Sequence, residues 1–227
     1  MSPEKDTTLY QLTIRGKLKP ATVEAARTVH NATAGNPAGV AGARALGDLS
    51  HNVYVPTGQT GGAASELLIL DVWNNLDGLN QFFANHDVQE GGNMIFTDRD
   101  PVVWMPARGA FGYHLLAPKG KHDRFVGIVR GPVHSHEQAL AVHNEFASMA
   151  VNQSRMAGCL SHDVYFRMAQ PGTPESLEFL AIDVWMDAAG MAAVYANPEM
   201  GAVLGKMFAG APSATTWQEP AGEWVEW

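Results

Sequence analysis

The chain repeats itself, and that repeat constrains its fold more than any other feature. Leu49-Ser50-His51-Asn52-Val53-Tyr54 returns 111 positions on as Leu160-Ser161-His162-Asp163-Val164-Tyr165. Glu66-Leu67-Leu68-Ile69-Leu70-Asp71-Val72-Trp73 returns 112 positions on as Glu178-Phe179-Leu180-Ala181-Ile182-Asp183-Val184-Trp185. Val29-His30-Asn31 and Val142-His143-Asn144 lie 113 apart, as do Trp104 and Trp217, and Ala84-Asn85 returns at 112 as Ala196-Asn197. Matches in one order at nearly one offset mean two copies of one structural unit. The expected domains are residues 1–118 and 119–227, with the junction near Pro118-Lys119-Gly120-Lys121.

Each copy reads in the same element order. Residues 9–14 and 125–129 are short apolar runs with β-branched side chains and predict strands. Residues 20–34 and 135–150 predict helices, with an apolar side at Ala25, Ala26, Val29 and Ala32 and with Pro20 suited to a first turn. Second strands are expected at 51–55 and 162–166. Third strands are expected at 67–73 and 177–185, too apolar on both faces for a solvated edge. Gly/Pro/Thr-rich loops at 56–64 and 170–174 join them. Helices follow at 76–83 and 188–196, shorter ones at 88–95 and 200–208, and last strands at 101–105 and 214–218. The order β-α-β-β-α-β is the ferredoxin-like split βαβ, so the fold class is α+β with two tandem ferredoxin-like units. One such unit leaves a sheet face bare, so the two copies are expected to close an intramolecular α+β barrel.

Composition narrows the function classes. Apolar residues make up 46% and charged residues 17% of 227 residues, which is globular. The formal charge is −8 with no basic run, so neither nucleic acid nor anionic membrane is an expected partner. No apolar run reaches the ~18 residues of a membrane span, and the start lacks the pattern of a signal peptide. The single cysteine, Cys159, fits a reducing compartment and a cytoplasmic location. A small-molecule substrate is the partner these features leave, and a homo-oligomer stays open.

Gly158-Cys159-Leu160-Ser161-His162-Asp163-Val164-Tyr165, the strand 178–185, and Asp187 opening a helix toward Asn197-Pro198 resemble the dimeric α+β barrel superfamily, in particular antibiotic-biosynthesis-monooxygenase-like domains. The resemblance runs through about 100 residues of each half. It implies a pocket between helices and sheet, and either a small-molecule oxygenase or a haem- or stress-related protein. Such domains often carry a catalytic or haem-ligating His about nine residues after the strand Trp. Here Phe82 and Val194 stand at those positions, and His86 lies one turn beyond Phe82 with no counterpart in the second half.

The candidate chemistry centres on histidines. His30 and His143 sit mid-helix with Asn31 and Asn144 beside them, while His51 and His162 begin equivalent strands. Imidazole near its pKa can accept a substrate proton, and a neighbouring amide can donate to an oxyanion. The plainer alternative makes them structural histidines. Asp71 and Asp183 lie on strands two residues before Trp73 and Trp185, where a carboxylate can orient a histidine. Trp73, Trp185 and Trp104, with Phe82, His86, Asn144 and Asp183, are the expected substrate-facing side chains, and His30, His51, Asn31, Asp71, His143 and His162 the expected catalytic ones. His134-Ser135-His136 reads as a solvated turn. The expected activity is cofactor-independent monooxygenation of a small aromatic or enolisable substrate with His as base. The alternative is a haem-, metal- or metabolite-binding protein without turnover. No dinucleotide fingerprint surrounds Gly61-Gly62 or Gly91-Gly92, so neither flavin nor nicotinamide is expected, while haem and a metal ion stay open.

Overall fold

The computed structural model describes residues 8–58, 66–115, 124–170 and 172–227. Gly61-Gly62, the junction at 118–121, most of the 56–64 loop and Pro171 lie outside them. The chain forms two compact units: Met1–Met105 with Pro220–Trp227, and Pro106–Glu219. A cut at 118/119 follows the sequence repeat, whereas the compact units follow an exchange. The segment after each unit's fourth strand belongs to the other unit.

In the first unit β1 (Tyr10–Leu18), β2 (Asp48–Pro56), β3 (Glu66–Trp73) and β4 (Phe96–Pro106) form an antiparallel sheet in the order β4-β1-β3-β2. The helices are α1 (Val23–Ala32), α2 (Pro37–Ala45), α3 (Leu76–Phe83) and α4 (His86–Ile95). In the second unit β5 (Tyr113–His114) is followed by β6 (Phe125–Pro132), β7 (Cys159–Arg167), β8 (Glu178–Trp185) and β9 (Ser213–Gln218). Their order is β9-β6-β8-β7-β5, which is the same ferredoxin-like arrangement with one short edge strand added. Its helices are α5 (His136–Met156), α6 (Ala188–Tyr195) and α7 (Pro198–Met207). Among the described residues none of these helices is long and apolar enough to cross a membrane.

Local chemistry sets the element ends. Helix α1 starts at Val23, because Thr22 Oγ1 accepts from Ala25 N at 3.1 Å, so Pro20 precedes the helix instead of occupying its first turn. Asn75 and Asp187 cap α3 and α6, and Asn85 and Asn197 cap α4 and α7. The one helix expected at 20–34 is followed by a second, α2, which the sequence reading did not foresee. Asn36 caps it and Pro37 opens it. The second unit instead runs straight through as the 21-residue α5.

The strand entries matter most for the site. Gly47, at φ +108°, and Gly158, at φ +92°, turn the chain into β2 and β7. Immediately after each, the ladder is bulged: Asp48 pairs with Trp73 but Ser50 with Val72, and Cys159 pairs with Trp185 but Ser161 with Val184. Residues three apart on a regular strand face opposite ways. The extra residue of a bulge puts Asp48 and His51 on one face with Asp71.

Candidate active site

In the first unit helix α1 and the sheet place two histidines against each other. His30 is fully buried, and its Nε2 lies 2.9 Å from His51 Nε2. His51 faces Asp71 directly across the β2–β3 ladder, and its Nδ1 donates to Asp71 Oδ1 at 2.8 Å. On the other side of His30, Nδ1 lies 3.0 Å from Asn31 Oδ1.

The segment Pro220–Trp227 fixes the proton positions. Val225 N donates to Asn31 Oδ1 at 3.0 Å, and Asn31 Nδ2 donates to Glu223 O at 2.8 Å. Asn31 Oδ1 is therefore an acceptor, and His30 Nδ1 must carry hydrogen. Burial, then the neighbouring His51, lowers the His30 pKa from 6.5 to about 4, so His30 is neutral and its Nε2 is a lone pair. His51 Nε2 must then donate to it. With Nδ1–H bound to Asp71, His51 is an imidazolium; burial opposes its charge, and Asp71 more than offsets this, raising the pKa. Trp227 stacks on the His51 ring at 4.5 Å, and its backbone exchanges both hydrogen bonds with that of His51.

The second unit repeats the network. Phe111 N donates to Asn144 Oδ1, Asn144 Nδ2 donates to Gly109 O, and His143 Nδ1 lies 3.0 Å from Asn144 Oδ1. His143 Nε2 is 2.8 Å from His162 Nε2, and His162 Nδ1 donates to Asp183 Oδ1. Burial, then His162, lowers His143 to about 4, and Asp183 raises His162 against the effect of burial.

The two sites differ in the room beside them. A cleft of about 720 Å³ opens beside the first network, lined by Asp48, His51, Asp71 and Trp227, by Phe82 and Phe83 of α3, and by residues of α2 and α4. The Gly35-Asn36-Pro37 break, which turns the chain away from α1, brings Asn36, Ala38, Gly39 and Gly42 to its wall. The corresponding space in the second unit is about 70 Å³. There Tyr195 fills it: its hydroxyl donates to Asp183 Oδ2 at 2.6 Å. Gly127 makes room, since a Cβ on it would overlap the Tyr195 hydroxyl. Leu12 stands at the matching ladder position of the first unit, across from Asp71 as Gly127 is across from Asp183.

Sequence reasoning missed Asp48. It is 3% exposed, lines the cleft, and its Oδ1 makes no well-formed hydrogen bond. Burial, then the Asp71 charge, raises its pKa from 3.8 to about 8, with the His51 charge opposing, so at neutrality it is mostly a neutral acid. The Trp227 indole N–H is likewise buried without a well-formed hydrogen bond, and it lies against the Asp48 carboxyl, whose pKa it lowers slightly. Cys159 holds the equivalent position in the second unit, where burial, then Asp183, pushes the thiol up to about 12.

Several expected site residues lie elsewhere. Trp73 and Trp104 are fully buried in the core and outside the cleft lining; Trp104 Nε1 donates to Thr13 Oγ1 at 2.9 Å. Trp185 lines only the small second space. Asn31 and Asn144 line neither space, because their amides hold backbone segments and orient histidines. The His86 side chain is 84% exposed at the start of α4, outside the lining, while Phe82 does line the cleft. His136 is tied down, bonded to Ser176 O and stacked on Phe166, so it is not part of a solvated turn. Among the described residues no group of three or more His, Cys, Asp or Glu is arranged to hold a metal ion.

No family model and no curated relative matches the chain. Solved structures match it over nearly its whole length. An anthrone oxidase-like protein is 16% identical, with 96% of this chain and 93% of that chain covered and a TM-score of 0.63. A protein named as a monooxygenase from Fusobacterium nucleatum is 10% identical over 93% and 92%, at 0.59. A ferredoxin-fold protein related to antibiotic biosynthesis monooxygenases, from Listeria monocytogenes, is 10% identical over 96% and 98%, at 0.52. The chain shares its ferredoxin-like α+β fold with these proteins. At these identities the likeness is one of fold, and the chemistry rests on this chain's own residues.

Proposed function

We propose that the first unit's cleft is the site of a cofactor-independent monooxygenase reaction on a small aromatic or enolisable molecule. The observation that carries this is a buried Asp71–His51–His30 network opening on about 720 Å³ of largely apolar cleft, where its duplicate is filled. An anthrone oxidase-like protein among the structural neighbours points to the same chemical class.

His51 changes role from the sequence reading. With both ring N–H groups committed, it has no lone pair for a substrate proton, and it serves as the fixed cation beside a substrate anion. Asp71 is the carboxylate that takes the proton. A C–H bond next to the substrate's carbonyl breaks, the proton goes to Asp71, and the electron pair stays on the substrate as an enolate. The enolate reduces dioxygen, and radical recombination followed by protonation gives a hydroperoxide. Loss of water leaves a ketone, so that a methylene and one dioxygen become a carbonyl and one water. The substrate supplies all four electrons, and no external reductant enters. Phe82 and Phe83 offer apolar surface for a ring.

A haem-binding reading finds less support. The cleft imidazole has both nitrogens hydrogen-bonded, and Phe82 stands where related domains carry a histidine. The test is oxygen uptake by the purified protein, stripped of metal and flavin, with anthrone and related enolisable tricyclic ketones. One mole of dioxygen consumed per mole of ketone formed, without hydrogen peroxide, is the expected result. Turnover that requires a reduced nicotinamide, or no oxygen uptake with any of these substrates, overturns the reading.

A further inference from the structure

We infer that Asp48 and Trp227 together form an oxyanion hole, in which the Asp48 carboxylic acid O–H and the Trp227 indole N–H both donate to the ionised oxygen of the substrate. This rests on the first unit's cleft being the substrate site.

Three observations converge. The β2 bulge brings Asp48 onto the face that carries His51 and Asp71, although it lies three positions before His51. Asp48 Oδ1 and Trp227 Nε1 are both buried and both belong to residues lining the cleft; neither makes a well-formed hydrogen bond, and the indole N–H lies against the Asp48 carboxyl. The indole N–H lies within hydrogen-bonding range of the Asp48 carboxyl and lowers its pKa a little, as the Ser50 backbone N–H does, so the two side chains sit side by side in the cleft lining. Burying polar groups with poorly formed hydrogen bonds is costly, and a ligand oxygen that accepts from both would relieve that cost. In the filled second unit the same two positions carry other chemistry: Cys159 replaces Asp48, and Tyr113, whose buried hydroxyl lies against the Cys159 thiol without a well-formed hydrogen bond, takes the place of Trp227 opposite the strand histidine.

The charges around Asp48 fix its state. On β3 the Asp71 carboxylate acts on it, on β2 the His51 imidazolium acts on both, and on the segment Pro220–Trp227 Glu226 adds a further negative charge acting on His51. A second carboxylate beside Asp71 is held protonated at neutrality, since like charges in a buried site resist joint ionisation. A neutral acid donates where a carboxylate would repel. The ligand class is therefore a phenolate or enolate oxygen on an apolar ring, as opposed to an ammonium or a sugar hydroxyl cluster.

The probe is 4-nitrophenolate, whose visible absorbance reports binding and which stays mostly anionic from pH 7.5 to 9.5. Wild-type affinity should fall by about tenfold or more over that range as Asp48 ionises. Asp48→Asn keeps a donor and should bind with a flat pH profile, whereas Trp227→Phe should bind more weakly throughout and keep the slope. A flat wild-type profile, or an unchanged slope in Asp48→Asn, overturns the oxyanion hole while leaving the cleft as a ring-binding site. If Asp48→Asn does not fold, the wild-type slope and the Trp227→Phe loss decide the matter, and the inference fails if either is absent. Absence of saturable binding to the wild-type protein overturns both the hole and the reading of the cleft beneath it.

Discussion

Tyr195 donates its hydroxyl hydrogen to Asp183 at 2.6 Å while lying over Gly127, so one aromatic side chain both satisfies the second unit's carboxylate and fills its pocket. Phe83 is the sequence counterpart in the first unit, where Leu12 replaces Gly127 and the ring carries no hydroxyl for Asp71. The pair Gly127 and Tyr195 thus separates the filled copy of the site from the open one. Gly127→Ala should destabilise the protein by about 1–3 kcal/mol through overpacking. Adding Tyr195→Ala should recover part of that loss, which a double-mutant cycle in urea measures as a coupling. Additive losses would mean that the ring does not depend on the missing Cβ.

His51→Ala should cost about 3–5 kcal/mol, because it breaks a buried pair and takes the His51 partner from Asp71, and His162→Ala somewhat less, because Tyr195 still donates to Asp183. Only His51→Ala should also remove oxygen uptake and phenolate binding under conditions where the variant is folded. Urea titrations beside binding isotherms separate the two effects. Equal functional consequences from both substitutions would place the chemistry elsewhere.

Much of this was legible in the repeat. Strands and helices were readable because their apolar runs occur twice, and each copy checks the other. The four histidines were readable for the same reason, and the ladder puts His51 opposite Asp71 and His162 opposite Asp183. Asp48 was not legible, because period-two reasoning puts it on the face away from His51, and only the bulge reverses that. Trp227 was not legible either: its counterpart Tyr113 shares no sequence with it, and both reach their histidines through segments exchanged between units. Trp73 and Trp104 misled because a tryptophan beside a polar strand end reads as a ligand platform, whereas burial against the helices satisfies the ring equally well. Helix α2 escaped notice because its Ala/Gly composition carries little periodic signal.

Asn31→Asp should raise the His30 pKa from its value of about 4, since a carboxylate would replace an amide oxygen at 3.0 Å from Nδ1. The same change removes the donor to Glu223 O and should loosen the segment Pro220–Trp227, on which the orientation of Trp227 depends. Nitrogen-15 chemical shifts of the imidazoles across a pH titration report the first effect, and amide exchange at residues 223–227 the second. An unshifted His30 would show that the Asn31 contact does not set its tautomer.

The stability of Asp48→Asn relative to wild type should depend on pH with a definite sign. Asp48 has its pKa raised from 3.8 to about 8 in the folded protein. Between those values the folded state holds a proton that the unfolded chain releases, so wild-type stability falls as pH rises through the window. Asparagine has no such proton, and its variant escapes the penalty. The folding equilibrium of Asp48→Asn should therefore gain on wild type by up to about tenfold per pH unit between roughly pH 4 and 8, and stay level above that. His30 and His143, lowered from 6.5 to about 4, act in the opposite sense by losing stability as pH falls below 6.5, and they act in both proteins, so they cancel in the comparison. Urea unfolding at pH 5, 6.5, 8 and 9 supplies the curve. Two parallel profiles would mean that Asp48 is already ionised at pH 5, and the neutral donor at the end of the cleft would be lost with it.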